Sequence, residues 1–206
     1  EAALRARWED QAPFLLKDED YKHPVRENYL LTLTPAKVNG EPFTLDKLGE
    51  LILANHDGHM DAFKGNSNKE LGQNSHGYRY YSKHLTSASR MEPLSDSSYW
   101  LLFPKTILSD SRKNSLVYEK LISYSGAGYR LPCTLEVATL LIAHYARRGE
   151  RLYAKNDKDW WTYTRCSDLD KDGAPLFVGG FGAAGLSVSG GSVYDSSLGV
   201  ACCRKF

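Results

Sequence analysis

The segment Leu131–Glu150, LPCTLEVATLLIAHYARRGE, constrains the fold more than any other part of the chain. It carries the strongest helical pattern, with Leu135, Ala138, Leu141, Ile142 and Tyr145 on one apolar face. Pro132 stands at the entry and Thr134 takes the N-cap position. Arg147 and Arg148 suit the negative end of the helix, and Gly149 terminates it.

A second helix is predicted from Thr44 to about His56, with Thr44 as cap and Leu45, Leu48, Leu51 and Ile52 on one face. The rest reads as short strands and loops. Strands are expected over Tyr29 to Leu33, Tyr99 to Phe103, Trp160 to Thr164, Leu176 to Val178 and Val200 to Lys205. The stretch from Lys64 to Ser98 is rich in Ser, Asn and Gly and is expected to be a long surface excursion. No repeat and no linker divides the 206 residues. The expectation is therefore one α+β domain, with an N-terminal arm of about the first 25 residues.

Composition excludes several functional classes. The net charge is +1 and the basic residues are scattered, so no electrostatic footprint for nucleic acid is present. No apolar run approaches the roughly 20 residues that span a bilayer, so membrane insertion is not expected. The four cysteines include the adjacent pair Cys202 and Cys203 and no CxxC spacing, which fits neither a disulfide framework nor a zinc site. Buried free thiols in a reducing compartment are expected. Glu1 is not an initiator methionine, which fits a fragment of a longer phage or bacterial protein.

Candidate chemistry is sparse. His56, Asp57, His59 and Asp61 mix metal-binding residue types, but Gly58 breaks the helix that would align them, and a helix end running into a polar loop accounts for them. Asp168, Asp170, Asp172 and Gly173 match the opening of a calcium loop. Gly179 occupies its twelfth position, where an acid is required, so an Asp-rich turn is the reading and an ion would need a ligand from elsewhere. No G-x-S-x-G occurs, and VGGFGAAGLSVSGG follows the main helix instead of opening one, against a phosphate cradle. No catalytic residue, metal or cofactor is assigned.

The terminal stretch GLSVSGGSVYDSSLGV, Gly185 to Val200, sets Leu186, Val188, Val193, Leu198 and Val200 in a frame filled only by Ser, Gly, Tyr and Asp. That filling is close to antibody paratope chemistry, in which tyrosine gives rigid contact area and small residues adapt by hydrogen bonding.

GYRLPCTLEVATLLIAHYARRG, Gly128 to Gly149, resembles the signature of the formylglycine-generating-enzyme branch of the C-type lectin fold, and GVACCRKF resembles its closing strand. The resemblance is specific from Gly128 to Phe206. It implies two helices around small mixed and antiparallel sheets with long irregular loops. The oxidases of this branch use paired cysteines a few residues apart; Cys202 and Cys203 are contiguous and Cys166 is distant, so that constellation is not visible.

The other members are variable proteins of diversity-generating retroelements, whose terminal codons are rewritten at adenines so that asparagines become Tyr, Ser, Gly, Asp or His. The resemblance implies a ligand-binding protein with a hypervariable region over about residues 160–206. Its binding residues would be Tyr163, Ser167, Asp168, Ser187, Ser189, Gly190, Ser192, Tyr194, Asp195, Ser196 and Ser197. These are expected to converge on one exposed patch for an unknown partner, a protein or a surface glycan. The alternatives are an oxidase of the branch and a non-catalytic assembly module of a larger protein.

Overall fold

The computed structural model describes residues 25–54, 78–80, 85–86, 91–108, 111–112, 128–153, 162–182, 185–191 and 197–206. Their order begins with α1 (Val25–Asn28), β1 (Tyr29–Thr34), β2 (Lys37–Val38), β3 (Glu41–Pro42) and α2 (Leu45–Ala54). Next come β4 (Tyr78–Tyr80), β5 (Tyr99–Pro104), β6 (Tyr129–Arg130) and α3 (Thr134–Arg148). The C-terminal part holds β7 (Tyr163–Leu169), β8 (Pro175–Gly182), β9 (Gly185–Gly190), β10 (Leu198–Gly199) and β11 (Cys203–Lys205). The protein is mixed α+β.

Two sheets carry the structure. One has four strands in the order β1-β5-β11-β6, all neighbours antiparallel. The other has five in the order β10-β7-β8-β9-β4, antiparallel at its centre and parallel at both edge pairs. β2 and β3 form a separate hairpin. A single main core joins both sheets to the helices: Leu45, Leu48 and Ile52 of α2 and Leu140, Leu141 and Ile142 of α3 meet Leu101, Phe103, Leu176, Val178, Leu186 and Val188.

The first nine residues of α3, Thr134 to Ile142, are all buried. A helix covered on every side sits inside the core. Its C-terminus follows the sequence reading: Gly149 adopts a left-handed conformation (φ 70°) and its N–H donates to the Tyr145 carbonyl at 2.7 Å. Its N-terminus does not, because Cys133 is the cap residue and Thr134 is the first helical one. The Thr134 N–H, one of the donors a helix start leaves unsatisfied, donates to Asp168 Oδ2 on β7. The Cys133 N–H donates to Glu136 Oε2 at 2.8 Å.

Glu136 is the buried acid on which this corner depends. Arg130 donates to both carboxylate oxygens, through Nη1 at 2.8 Å and through Nη2, and Tyr99 Oη donates to Oε1 at 2.7 Å. Burial pushes the Glu136 carboxyl up, but the Arg130 hydrogen bonds and charge, with the Cys133 and Tyr99 donors, outweigh it and hold the group below its ordinary value. The same burial, with the Glu136 charge beside it, raises the Tyr99 hydroxyl.

Other expectations shift at the edges. α2 keeps the Thr44 cap (Lys47 N–H to Thr44 Oγ1, 3.1 Å) but its described turns end at Ala54; Asn55 and His56 lie outside the described residues. The polar excursion is not wholly peripheral. Its residues 78–80 form β4, paired with Leu186–Val188 of β9, and its Leu85 is in the core. β8 extends through Gly182, and the terminal strand is only Cys203–Lys205, because Val200 to Cys202 cross between the sheets.

Two predictions test this core. Leu186→Ala and Leu198→Ala, both essentially fully buried, should each cost about 2–5 kcal/mol in denaturant unfolding. Because the folded Glu136 value is depressed, its contribution is full above the unfolded-state value of about 4.3 and is lost as pH falls through the lower folded value. Acid titration of unfolding should show that loss in the wild type and not in Glu136→Gln, which starts less stable by about 3–5 kcal/mol.

Candidate functional site

The five-stranded sheet presents two faces. Leu176, Val178, Leu186 and Val188 point into the main core. Alternation along each strand sends Phe177, Gly179, Ser187 and Ser189 the other way. Registers then align two rows on that far face. Leu198, Tyr163, Gly179 and Ser187 form one, and Arg165, Phe177 and Ser189 form the next. The Tyr163 ring meets Phe177 edge-on, centroids 5.3 Å apart at 78°. It also lies where a Cβ on Gly180 would collide with it, and Gly180 has φ 54°. Glycine is required there twice over, by conformation and by space.

Tyr163, Ser187 and Ser189 thus share one face, but they are not the exposed contacts the sequence reading expected. Their relative exposures are 8%, 3% and 7%, and Gly190 is buried too. The reason lies in the sheet. β9 is an inner strand between β8 and β4, Ser189 stands in register beside the larger Phe177, and Tyr163 packs against the Phe177 ring.

Ser167 is exposed, and its N–H donates to the Pro132 carbonyl at 2.9 Å. Asp168 is half-buried and serves the α3 N-terminus instead of standing free for a ligand. A register shift between Arg165 and Leu169 takes both residues out of step with β8 and toward the helix. Ser197 is half-buried at the other end of the sheet, its carbonyl accepting the Tyr163 N–H at 3.0 Å. Ser192, Tyr194, Asp195 and Ser196 lie outside the described residues, as does the whole His56, Asp57, His59 and Asp61 cluster.

The sequence reading missed Arg165 and Phe177, although each stands two residues from an assigned or facing position and period two was the signal. Thr164 was missed as well. Its Oγ1 accepts the Ala201 N–H at 2.8 Å and ties the terminal segment to β7.

The Asp-rich stretch is the hairpin turn between β7 and β8. Asp170 Oδ1 accepts from the Asp172 and Ala174 N–H groups at 2.9 and 2.8 Å, and Gly173 adopts φ 80°. The Asp170 carboxylate is engaged in closing this turn. Among the described residues no three acidic, histidine or cysteine side chains gather as a metal site, and no helix is long and apolar enough to cross a membrane.

All four cysteines are free and buried. Cys203 faces the main core while Cys202 packs with Leu108, Tyr129, Leu131 and Val200 on the opposite side. Burial pushes the Cys202 thiol up to about 12 and raises Cys133, Cys166 and Cys203 as well. Thiols so shifted stay protonated near neutrality, the reverse of what a nucleophilic or redox cysteine requires.

Comparison of the chain with protein-family profiles, with curated proteins and with solved structures finds no match.

The burial generates a graded expectation. Ser187→Phe and Ser189→Phe should each cost about 1–3 kcal/mol through overpacking. Ser167→Tyr, on an exposed position, should stay within about 0.5 kcal/mol of wild type in the same thermal melts.

Proposed function

We propose that the chain is a ligand-binding protein of receptor type on a C-type lectin scaffold of the formylglycine-generating-enzyme kind, the variable protein of a diversity-generating retroelement. The observation that carries this reading is the pair of rows on the far face of the five-stranded sheet. Strand register alone aligns Tyr163 with Ser187, and Arg165 with Phe177 and Ser189, while the alternate side chains Leu176, Val178, Leu186 and Val188 are committed to the core. A scaffold whose terminal segment is open to exchange needs such a fixed, largely buried base.

The buried Ser187 and Ser189 form the floor of this platform. Contact is assigned to the segment that follows Gly190: Ser192, Tyr194, Asp195 and Ser196, on their residue types, and the half-buried Ser197 that rejoins the sheet at β10. Tyrosine and small polar residues suit a protein or glycan partner, with the aromatic ring supplying most of the contact energy. The protonated, oppositely directed Cys202 and Cys203 give no support to the oxidase alternative.

Sequencing the DNA around the coding region tests the proposal. The expected result is a near-copy of the codons for residues 160–206, differing only at adenines, beside a reverse transcriptase gene. A complete genome without that near-copy contradicts it.

A further inference from the structure

Asn39-Gly40 is the only Asn-Gly step in the chain, and it forms the two-residue loop that joins β2 to β3. Both residues are left-handed, at φ 54° and 84°, as a type I′ hairpin turn requires. Both are exposed, and no atom lies within 4 Å of the place a Cβ would take on Gly40. Among the described residues nothing hydrogen-bonds to the Asn39 side-chain amide or to the Gly40 N–H. The Asp172-Gly173 step differs, for there the Gly173 N–H donates to the Asp170 carbonyl at 3.1 Å. A hairpin of two residue pairs, with Lys37, Glu41 and Pro42 exposed, opens at little cost. Opening frees the Asn39 backbone to turn its side-chain carbonyl carbon toward the Gly40 nitrogen.

We propose that Asn39 is a site of covalent self-modification by deamidation, with the Gly40 backbone nitrogen as nucleophile. That nitrogen bonds to Asn39 Cγ, the Cγ–Nδ2 bond breaks, and the displaced amide leaves as ammonia with the Gly40 proton. The succinimide ring that remains then takes up water. Breaking the bond from nitrogen to Cγ leaves aspartate; breaking the bond from nitrogen to the Asn39 main-chain carbonyl leaves isoaspartate. The two products act differently on the fold. Aspartate tolerates the left-handed conformation and keeps the turn. Isoaspartate routes the main chain through Cβ and lengthens the loop by one methylene, which a two-residue turn cannot absorb. The strain falls on β3, whose Glu41 pairs with Lys47 of α2. It also falls on Phe43, 3% exposed in the core, whose N–H donates to the Ala36 carbonyl at 2.9 Å, and on the Thr44 cap that follows.

Incubation of the folded protein in mildly alkaline buffer tests this, with a protein-isoaspartate methyltransferase and labelled S-adenosylmethionine as the probe. The wild type should gain label with time, and peptide mapping should place it at Asn39. Asn39→Gly keeps a residue suited to the turn and removes the amide, so most of the label should be lost while the protein stays folded. A folded wild type without isoaspartate at residue 39, under conditions where the free peptide of residues 37–42 acquires it, overturns the proposal. So does a total label that Asn39→Gly leaves undiminished. The isoaspartyl form, separated by anion exchange, should melt a few degrees below the wild type, whereas Asn39→Asp should melt with it. An isoaspartyl form that melts with the wild type overturns the predicted effect on the turn.

Discussion

The carboxylate of Glu136 is the fixed point of this molecule. A buried charge costs several kcal/mol in desolvation unless its oxygens are hydrogen-bonded and its charge is balanced. Here four donors from three separate places meet that demand: two from Arg130 on β6, one from Tyr99 on β5 and one from the Cys133 backbone at the helix entry. Meeting it fixes where α3 begins relative to the four-stranded sheet. Asp168, reaching from β7 to the Thr134 N–H, fixes the same helix start relative to the five-stranded sheet. Two carboxylates at one helix N-terminus therefore set how the sheets lie, and both also favour the positive end of the helix dipole.

The terminal segment completes this arrangement. It enters as β10, parallel to β7 at the edge of the five-stranded sheet, and ends as β11, between β5 and β6 in the four-stranded one. Between the two, the Val200 carbonyl accepts the Leu108 N–H, the Val200 N–H donates to the Ser111 hydroxyl, and the Ala201 N–H donates to Thr164 Oγ1. At Gly199 a Cβ would run into Ile107 and Ser111, so the crossing needs a residue without one. The apolar frame seen in the sequence is thus the part of the tail that binds the sheets together: Leu186, Val188, Leu198 and Val200 are buried to within 1%.

Much of this was legible where the signal is local. The α3 periodicity, its Gly149 stop, the Thr44 cap and the centres of β1 and β5 all depend on residues near one another in the chain. What escaped depends on distant partners. Glu136 reads as an ordinary first-turn acid until Tyr99, 37 residues away, is placed beside it. Asp168 reads as part of a turn until α3 arrives 34 residues distant and takes its oxygen. Ser187 and Ser189 read as exposed because serine is usually exposed; they are buried on an inner strand, and β4, which makes β9 an inner strand, lies in a stretch whose polarity gave no strand signal. The division between the two faces was legible as alternation, but which face would be covered was not.

The proposed function requires that this scaffold keep its fold while residues 192–197 are exchanged. The most direct measurement is a displayed library with Ser192, Tyr194, Asp195, Ser196 and Ser197 randomised, selected for binding to an unrelated folded protein and then melted clone by clone. Binders that unfold within a few degrees of the parent chain are expected. A library in which these exchanges unfold the protein, or from which no folded binder emerges, would contradict it.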